Sequence, residues 1–145
     1  MLSNNNLIKH NASIGNYGSS WKITTSYKNI GSKLPAISDE YFKTTTGNDA
    51  SITIKKSGLY LLLASSEFGA ATGTGGTAWG AIMSDSDADI VRTCSYVYGG
   101  SATATIAYML QVDESITLKF LSACSVGSGA IQNKGMDIFQ CIKLK

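Results

Sequence analysis

Proline, histidine and arginine each occur only once in this chain of 145 residues. With His10 as the sole histidine, histidine-dependent catalytic triads and His-rich zinc sites are excluded. With Arg92 as the sole arginine, bidentate reading of phosphates or base edges has no instrument, and the net charge of +2 supplies no basic stripe. No nucleic-acid partner is expected. Cysteine is scarce too: Cys94, Cys124 and Cys141 are odd in number, widely spaced and free of any CxxC. They read as reduced, buried small hydrophobes rather than a disulfide framework or a metal site, although an oxidising medium would permit one pair.

Long apolar runs are missing as well. No segment approaches the roughly 20 apolar residues that cross a bilayer, and the first 20 residues hold no basic stretch followed by an apolar run. Neither membrane insertion nor a secretory signal is expected. Glutamate is rare, so helix formers are few, while Ser, Thr, Gly and β-branched residues favour turns and strands.

What is present is alternation. Trp21, Ile23, Thr25 and Tyr27 interleave with polar residues, Ile52 and Ile54 flank Thr53, and Ile116, Leu118 and Phe120 flank Thr117 and Lys119. This is the period of half-buried strands. Ala102, Ala104, Ile106, Tyr108 and Leu110 form one face of a longer strand, and Val112-Asp113-Glu114 reads as the turn of a hairpin into the Ile116 strand. The run Leu59 to Ala64 is apolar on both faces, opened by Ser57-Gly58 and diluted at Ser65-Ser66. At six residues it is too short for a free helix and reads as a strand covered on both sides. Met136 to Leu144 also carries apolar residues on both faces and reads as a central strand.

Eight or more such strands between Gly, Ser, Asn and Asp clusters predict an all-β sandwich or jelly roll over residues 21–145, after a flexible arm or linker at 1–20. An ordinary core suffices to fold a chain of this length, with no cofactor required.

Candidate chemistry is thin. "GTGGTA" at 73–78 fits a dinucleotide fingerprint by letters, but a strand and an acidic turn follow instead of a helix, so it reads as an inter-strand loop. Asp85, Asp87 and Asp89 stand at alternate positions like the start of a calcium loop, yet Ile90 and Tyr96 occupy the places of the required Gly and Glu. They read as a solvated turn, with a weak surface cation site as the alternative. Asp39-Glu40 and Asp113-Glu114 point to opposite faces beside turns, which leaves no persuasive enzyme. Asn11-Ala12-Ser13 is a formal glycosylation sequon. Trp79, Tyr96 and Tyr98 lie near Gly- and Ser-rich segments and could stack on sugars or adapt to a protein; the alternative is a place in the core or in a subunit interface.

Lys56-Ser57-Gly58-Leu59-Tyr60 resembles the "KSGLY"-like step into a strand in the globular heads of the C1q and tumour necrosis factor superfamily. Leu110 to Leu118 resembles that family's "LxxGDxVxL" hairpin, with Val112-Asp113-Glu114 in place of Gly-Asp, and Met136 to Leu144 resembles its closing strand. The resemblance spans residues 21–145 and implies a ten-stranded jelly roll assembling as a homotrimer. The low-proline, Ser/Thr/Asn-rich style also resembles the C1q-like heads of bacteriophage tail and fibre proteins. That implies a non-enzymatic virion module, structural or binding a host-surface glycan or protein receptor; an extracellular C1q-like ligand is the alternative, and a carbohydrate-active enzyme a more distant one.

Overall fold

The computed structural model describes residues 10–18, 20–127 and 129–145. The strands are β1 (Asn11–Tyr17), β2 (Trp21–Lys22), β3 (Lys28–Asn29), β4 (Phe42–Thr44), β5 (Ile52–Ile54), β6 (Gly58–Ala70), β7 (Gly75–Ser84), β8 (Asp89–Tyr98), β9 (Ser101–Val112), β10 (Ile116–Cys124) and β11 (Ile131–Lys143). No helix occurs among the described residues, and so none is long and apolar enough to cross a membrane.

Two antiparallel sheets face each other. Sheet A has the order β1-β11-β6-β9, with β2 also on β11; sheet B has the order β4-β5-β10-β7-β8, with β3 also on β10. The connections β5–β6, β6–β7, β8–β9, β9–β10 and β10–β11 each pass from one sheet to the other, and this makes the sandwich a jelly roll.

β6 has the longest ladder in sheet A, running along β9 from Gly58↔Val112 to Gly69↔Ser101 and along β11 from Tyr60↔Lys143 to Ala70↔Ile131. Its inward residues Tyr60, Leu62, Ala64 and Phe68 are buried, while Leu59, Leu61 and Leu63 point outward and stay half-buried. Gly58 opens the strand at φ 145°, where a Cβ would collide with the Lys145 carbonyl, so the Ser57-Gly58 step lets the C-terminus dock. Leu59 donates its N–H to that carbonyl at 3.0 Å, and Leu144 donates back to the Leu59 carbonyl at 2.8 Å.

The core forms two clusters. One gathers Ile14, Phe42, Ile52, Tyr60, Leu62, Phe120 and Phe139; the other gathers Ile23, Phe68, Ala78, Val97, Cys124 and Ile131. Polar or minimal residues stand between them along each strand: Ser66 on β6, Gly80 on β7, Ser122 on β10 and Asp137 on β11.

Four expectations need correction. Residues 11–17 are not arm but strand, because Ala12 and Ile14 find buried sites when β1 pairs with β11; residues 1–9 lie outside the described residues. The 21–28 stretch is not one strand. The chain crosses here from sheet A to sheet B, Ile23 dropping into the core while Thr24 Oγ1 accepts the Ser26 N–H at 3.3 Å. The Asp113 turn does not close a hairpin, since β9 belongs to sheet A and β10 to sheet B. Cys94 is exposed on the outward side of β8; Cys124 and Cys141 are buried, and all three are free thiols. Burial pushes the Cys141 thiol strongly upward, so it stays protonated.

Candidate binding face

The β7–β8 hairpin brings the sequence-predicted aromatics together. Its register pairs Gly75↔Tyr98, Thr77↔Tyr96, Trp79↔Cys94 and Ala81↔Arg92. Because alternate residues share a face, Tyr98, Tyr96, Cys94 and Trp79 lie on the outward side of sheet B, while Ala78 and Val97 enter the core. Tyr96 is 68% and Tyr98 64% exposed, and Trp79 is half-buried. The core alternative therefore fails for the two tyrosines: their rings meet solvent.

Tyr98 depends on its neighbour across the ladder. A Cβ on Gly75 would collide with the Val97 carbonyl and stand 2.8 Å from the Tyr98 ring, so glycine lets both the β8 backbone and the ring close over β7. The turns around it are tied down. Gly99 donates its N–H to the Thr74 carbonyl at 3.0 Å, Ala70 to the Gly100 carbonyl at 2.8 Å, and Thr74 to the Ala71 carbonyl at 3.0 Å. The glycine-rich segment is thus a fixed platform, and Gly75 to Ala78 of "GTGGTA" lie inside a strand rather than opening a helix.

Charge lies at the other end of the hairpin. Asp89 pairs with Arg92 at 2.8 Å and Asp85 with Lys119 at 3.4 Å. The Arg92 guanidinium comes within 3.5 Å of the Tyr27 hydroxyl, which with Asp89 favours its charged form. Asp87 sits at the turn in the left-handed region, φ 58°. Two of the three alternate carboxylates thus face protein cations, and among the described residues no three ligating side chains gather for a metal ion.

His10 is half-buried and its ring lies tilted against Tyr41, with ring centroids 4.1 Å apart. Lys143 lies over Tyr41 and Tyr60, and Lys56 pairs with Glu40. Lys56 holds the Glu40 carboxyl below its usual range. The group ties the described start of the chain to the end of β11.

A second surface, which the sequence reading only hinted at, is the outward side of sheet A. Ile142, Leu61 and Met109 form one rung across β11, β6 and β9; Gln140, Leu63 and Ala107 form the next, followed by Ile138, Ser65 and Thr105. Met109 is 62% exposed and Met136, further along β11, 57%. A trough of about 410 Å3 runs between Leu63, Ser65, Thr105, Ala107, Ile138 and Gln140, where small residues separate larger ones.

No family model matches the chain, nor does any curated protein. Solved structures do. The chain is similar to murine APRIL at pH 5.0, with a TM-score of 0.64 at 10% identity over 92% of this chain and 98% of that one. It is similar to the Eiger TNF from S. frugiperda, with a TM-score of 0.58 at 10% identity over 93% of this chain and 92% of that one. The fold is a TNF-like, all-β jelly roll, as the "KSGLY" step and the closing strand implied.

Proposed function

We propose that this chain is a non-enzymatic, homotrimeric jelly-roll module that binds a glycan or protein on a host surface through Trp79, Tyr96 and Tyr98, and that it serves on a phage or prophage particle. The observation that carries the trimer is the apolar outward side of sheet A. Leu59, Leu61, Leu63, Ile138, Ile142 and Met109 form a face that water covers in the isolated chain. Contiguous apolar sheet faces of this kind are covered by a partner, and a second copy presents complementary surface without another gene product. The likeness of fold to APRIL and Eiger TNF supports the same reading.

The binding role rests on the stripe along β7 and β8. It lies on the other sheet, so covering sheet A does not require it, and tyrosines supply broad amphipathic contact at low entropy cost. The non-enzymatic reading is supported by how the ionisable groups are engaged: His10 on Tyr41, Asp137 on Ser66 and Asn133, Asp85 on Lys119. The virion assignment is supported by the low-proline, Ser/Thr/Asn-rich composition and by free thiols in a jelly-roll fold. The likeness to APRIL and Eiger TNF favours the second reading, an extracellular ligand or adhesion domain. Glycan and cell-surface binding of wild type against Tyr98→Ala, with the molar mass of each measured alongside, tests both halves. Loss of binding at unchanged mass supports the stripe, and unchanged binding removes it.

A further inference from the structure

A separate pocket lies where the end of β1 meets the β2–β3 crossing. It holds about 210 Å3 and is lined by Asn16, Trp21, Lys28, Asn29, Ile30 and Asn48. Its residues come from four stretches of chain brought together by the pairing of β2 with β11 and of β3 with β10. Two of the asparagines are held in place: Asn16 Nδ2 donates to the Ile30 carbonyl at 3.1 Å and Asn29 Nδ2 to the Ala50 carbonyl at 2.9 Å. Of the other two polar groups, Asn48 has no such duty and Lys28 is engaged only by a cation–π contact with Trp21. Asn48 makes no side-chain hydrogen bond among the described residues. Lys28 pairs with no carboxylate among them, its ammonium lying 5.0 Å from the centre of the Trp21 ring.

From this geometry we infer that the Trp21 pocket binds one sugar ring carrying a carboxylate. The Trp21 ring packs against the second core cluster and carries the Lys28 ammonium over it, so the site offers that ammonium against a half-buried aromatic wall. Asparagine amides offer donor and acceptor on one planar group, which suits hydroxyls that are themselves both. The lining contains an ammonium and no acid, so a carboxylate on the ring meets Lys28 in a charge-assisted bond. The volume is below the roughly 300 to 1,000 Å3 of drug-sized sites, which fits a single ring rather than a chain of them. The site depends neither on trimer formation nor on the Tyr98 stripe.

The test is saturation-transfer NMR on the whole chain with D-glucuronate and D-glucose at millimolar concentration, repeated for Lys28→Ala, Asn48→Ala and Tyr98→Ala. Lys28 and Asn48 are exposed, so their variants fold, and circular dichroism checks that they do. The expected result is glucuronate bound about tenfold more tightly than glucose, a preference lost in Lys28→Ala. Asn48→Ala weakens both sugars, and Tyr98→Ala changes neither. Absence of glucuronate binding, equal binding of the two sugars by wild type, or a signal that survives Lys28→Ala and Asn48→Ala but vanishes in Tyr98→Ala overturns the inference. The last result would move the sugar to the stripe.

Discussion

Ser66 donates its hydroxyl to Asp137 Oδ1 at 2.5 Å across the β6–β11 ladder, in the middle of the core. Asn133 Nδ2 donates to the same oxygen at 2.7 Å, and Asn133 Oδ1 accepts the Gly135 N–H at 2.6 Å, which shapes the irregularity in β11 between Asn133 and Asp137. The other carboxyl oxygen, Oδ2, has no protein partner. Desolvation raises the Asp137 pKa, and the Ser66 and Asn133 hydrogen bonds only partly offset it.

A carboxyl whose folded pKa lies above its unfolded value binds its proton more tightly when folded. Its contribution is fully present below the unfolded pKa and lost as pH rises through the folded pKa. The melting temperature should therefore carry a component that falls as pH rises from the ordinary carboxylate range upward. Asp137→Asn should abolish that component, whereas Asp137→Ala, which strands Ser66 and Asn133, should abolish it too and cost about 1 to 3 kcal/mol at low pH, and less as pH rises. Thermal melts of the three proteins across pH check this, and an identical profile for wild type and Asp137→Asn would contradict it.

The tyrosine stripe should be separable from stability. Tyr98→Ala and Tyr96→Ala remove rings that are mostly in solvent, so unfolding free energy should change by less than about 0.5 kcal/mol while ligand attachment drops. Gly75→Ala, by contrast, should lower stability as well as binding, because its Cβ would collide with the Val97 carbonyl of β8 before it reached the Tyr98 ring. Chemical denaturation paired with a binding assay reads both.

At the acidic turn, calcium should leave the melting temperature unchanged, because Lys119 and Arg92 already neutralise Asp85 and Asp89. A specific site filled 100-fold above its dissociation constant would add about 2.7 kcal/mol. Asp87→Gly should stabilise by up to about 1 kcal/mol, since glycine adopts the left-handed φ of 58° without steric cost. Melts with calcium and with chelator decide the first point; denaturation of Asp87→Gly decides the second.

How far the sequence could be read depended on how local each feature is. The apolar run at Leu59 to Ala64 and the two-faced strand ending at Leu144 announce themselves, because burial on both faces leaves no polar alternation. β1 is hidden: Ala12, Ile14 and the terminal Tyr17 give only a faint apolar signal among its Asn, Ser and Gly, and its pairing with β11 spans almost the whole chain. Alternation identifies a face but not the sheet that owns it, and for that reason the step from Val112 to Ile116 resembled a hairpin. It continued from Trp21 to Tyr27 through a crossing where the backbone changes partners. Tyr96 and Tyr98 were visible as aromatics beside glycines, but Trp79 joins them only through the Trp79↔Cys94 register. The Trp21 pocket was invisible, since Asn16, Lys28 and Asn48 meet only after both sheets have formed.

The most direct measurement is the molar mass of the wild-type chain and of Leu61→Asp by sedimentation equilibrium at micromolar concentration. Leu61 sits at the centre of the Ile142–Leu61–Met109 rung on the outward side of sheet A, while its neighbour Leu62 is fully buried within the sandwich. A charge at Leu61 should therefore break assembly without unfolding the chain, whereas Leu62→Ala should cost about 2 to 5 kcal/mol of stability. The predicted result is a wild type at three times the 15.3 kDa chain mass and a Leu61→Asp variant at one chain mass with its β-sheet circular dichroism intact. A wild type that sediments as a folded single chain, or a Leu61→Asp variant that remains trimeric, would contradict it.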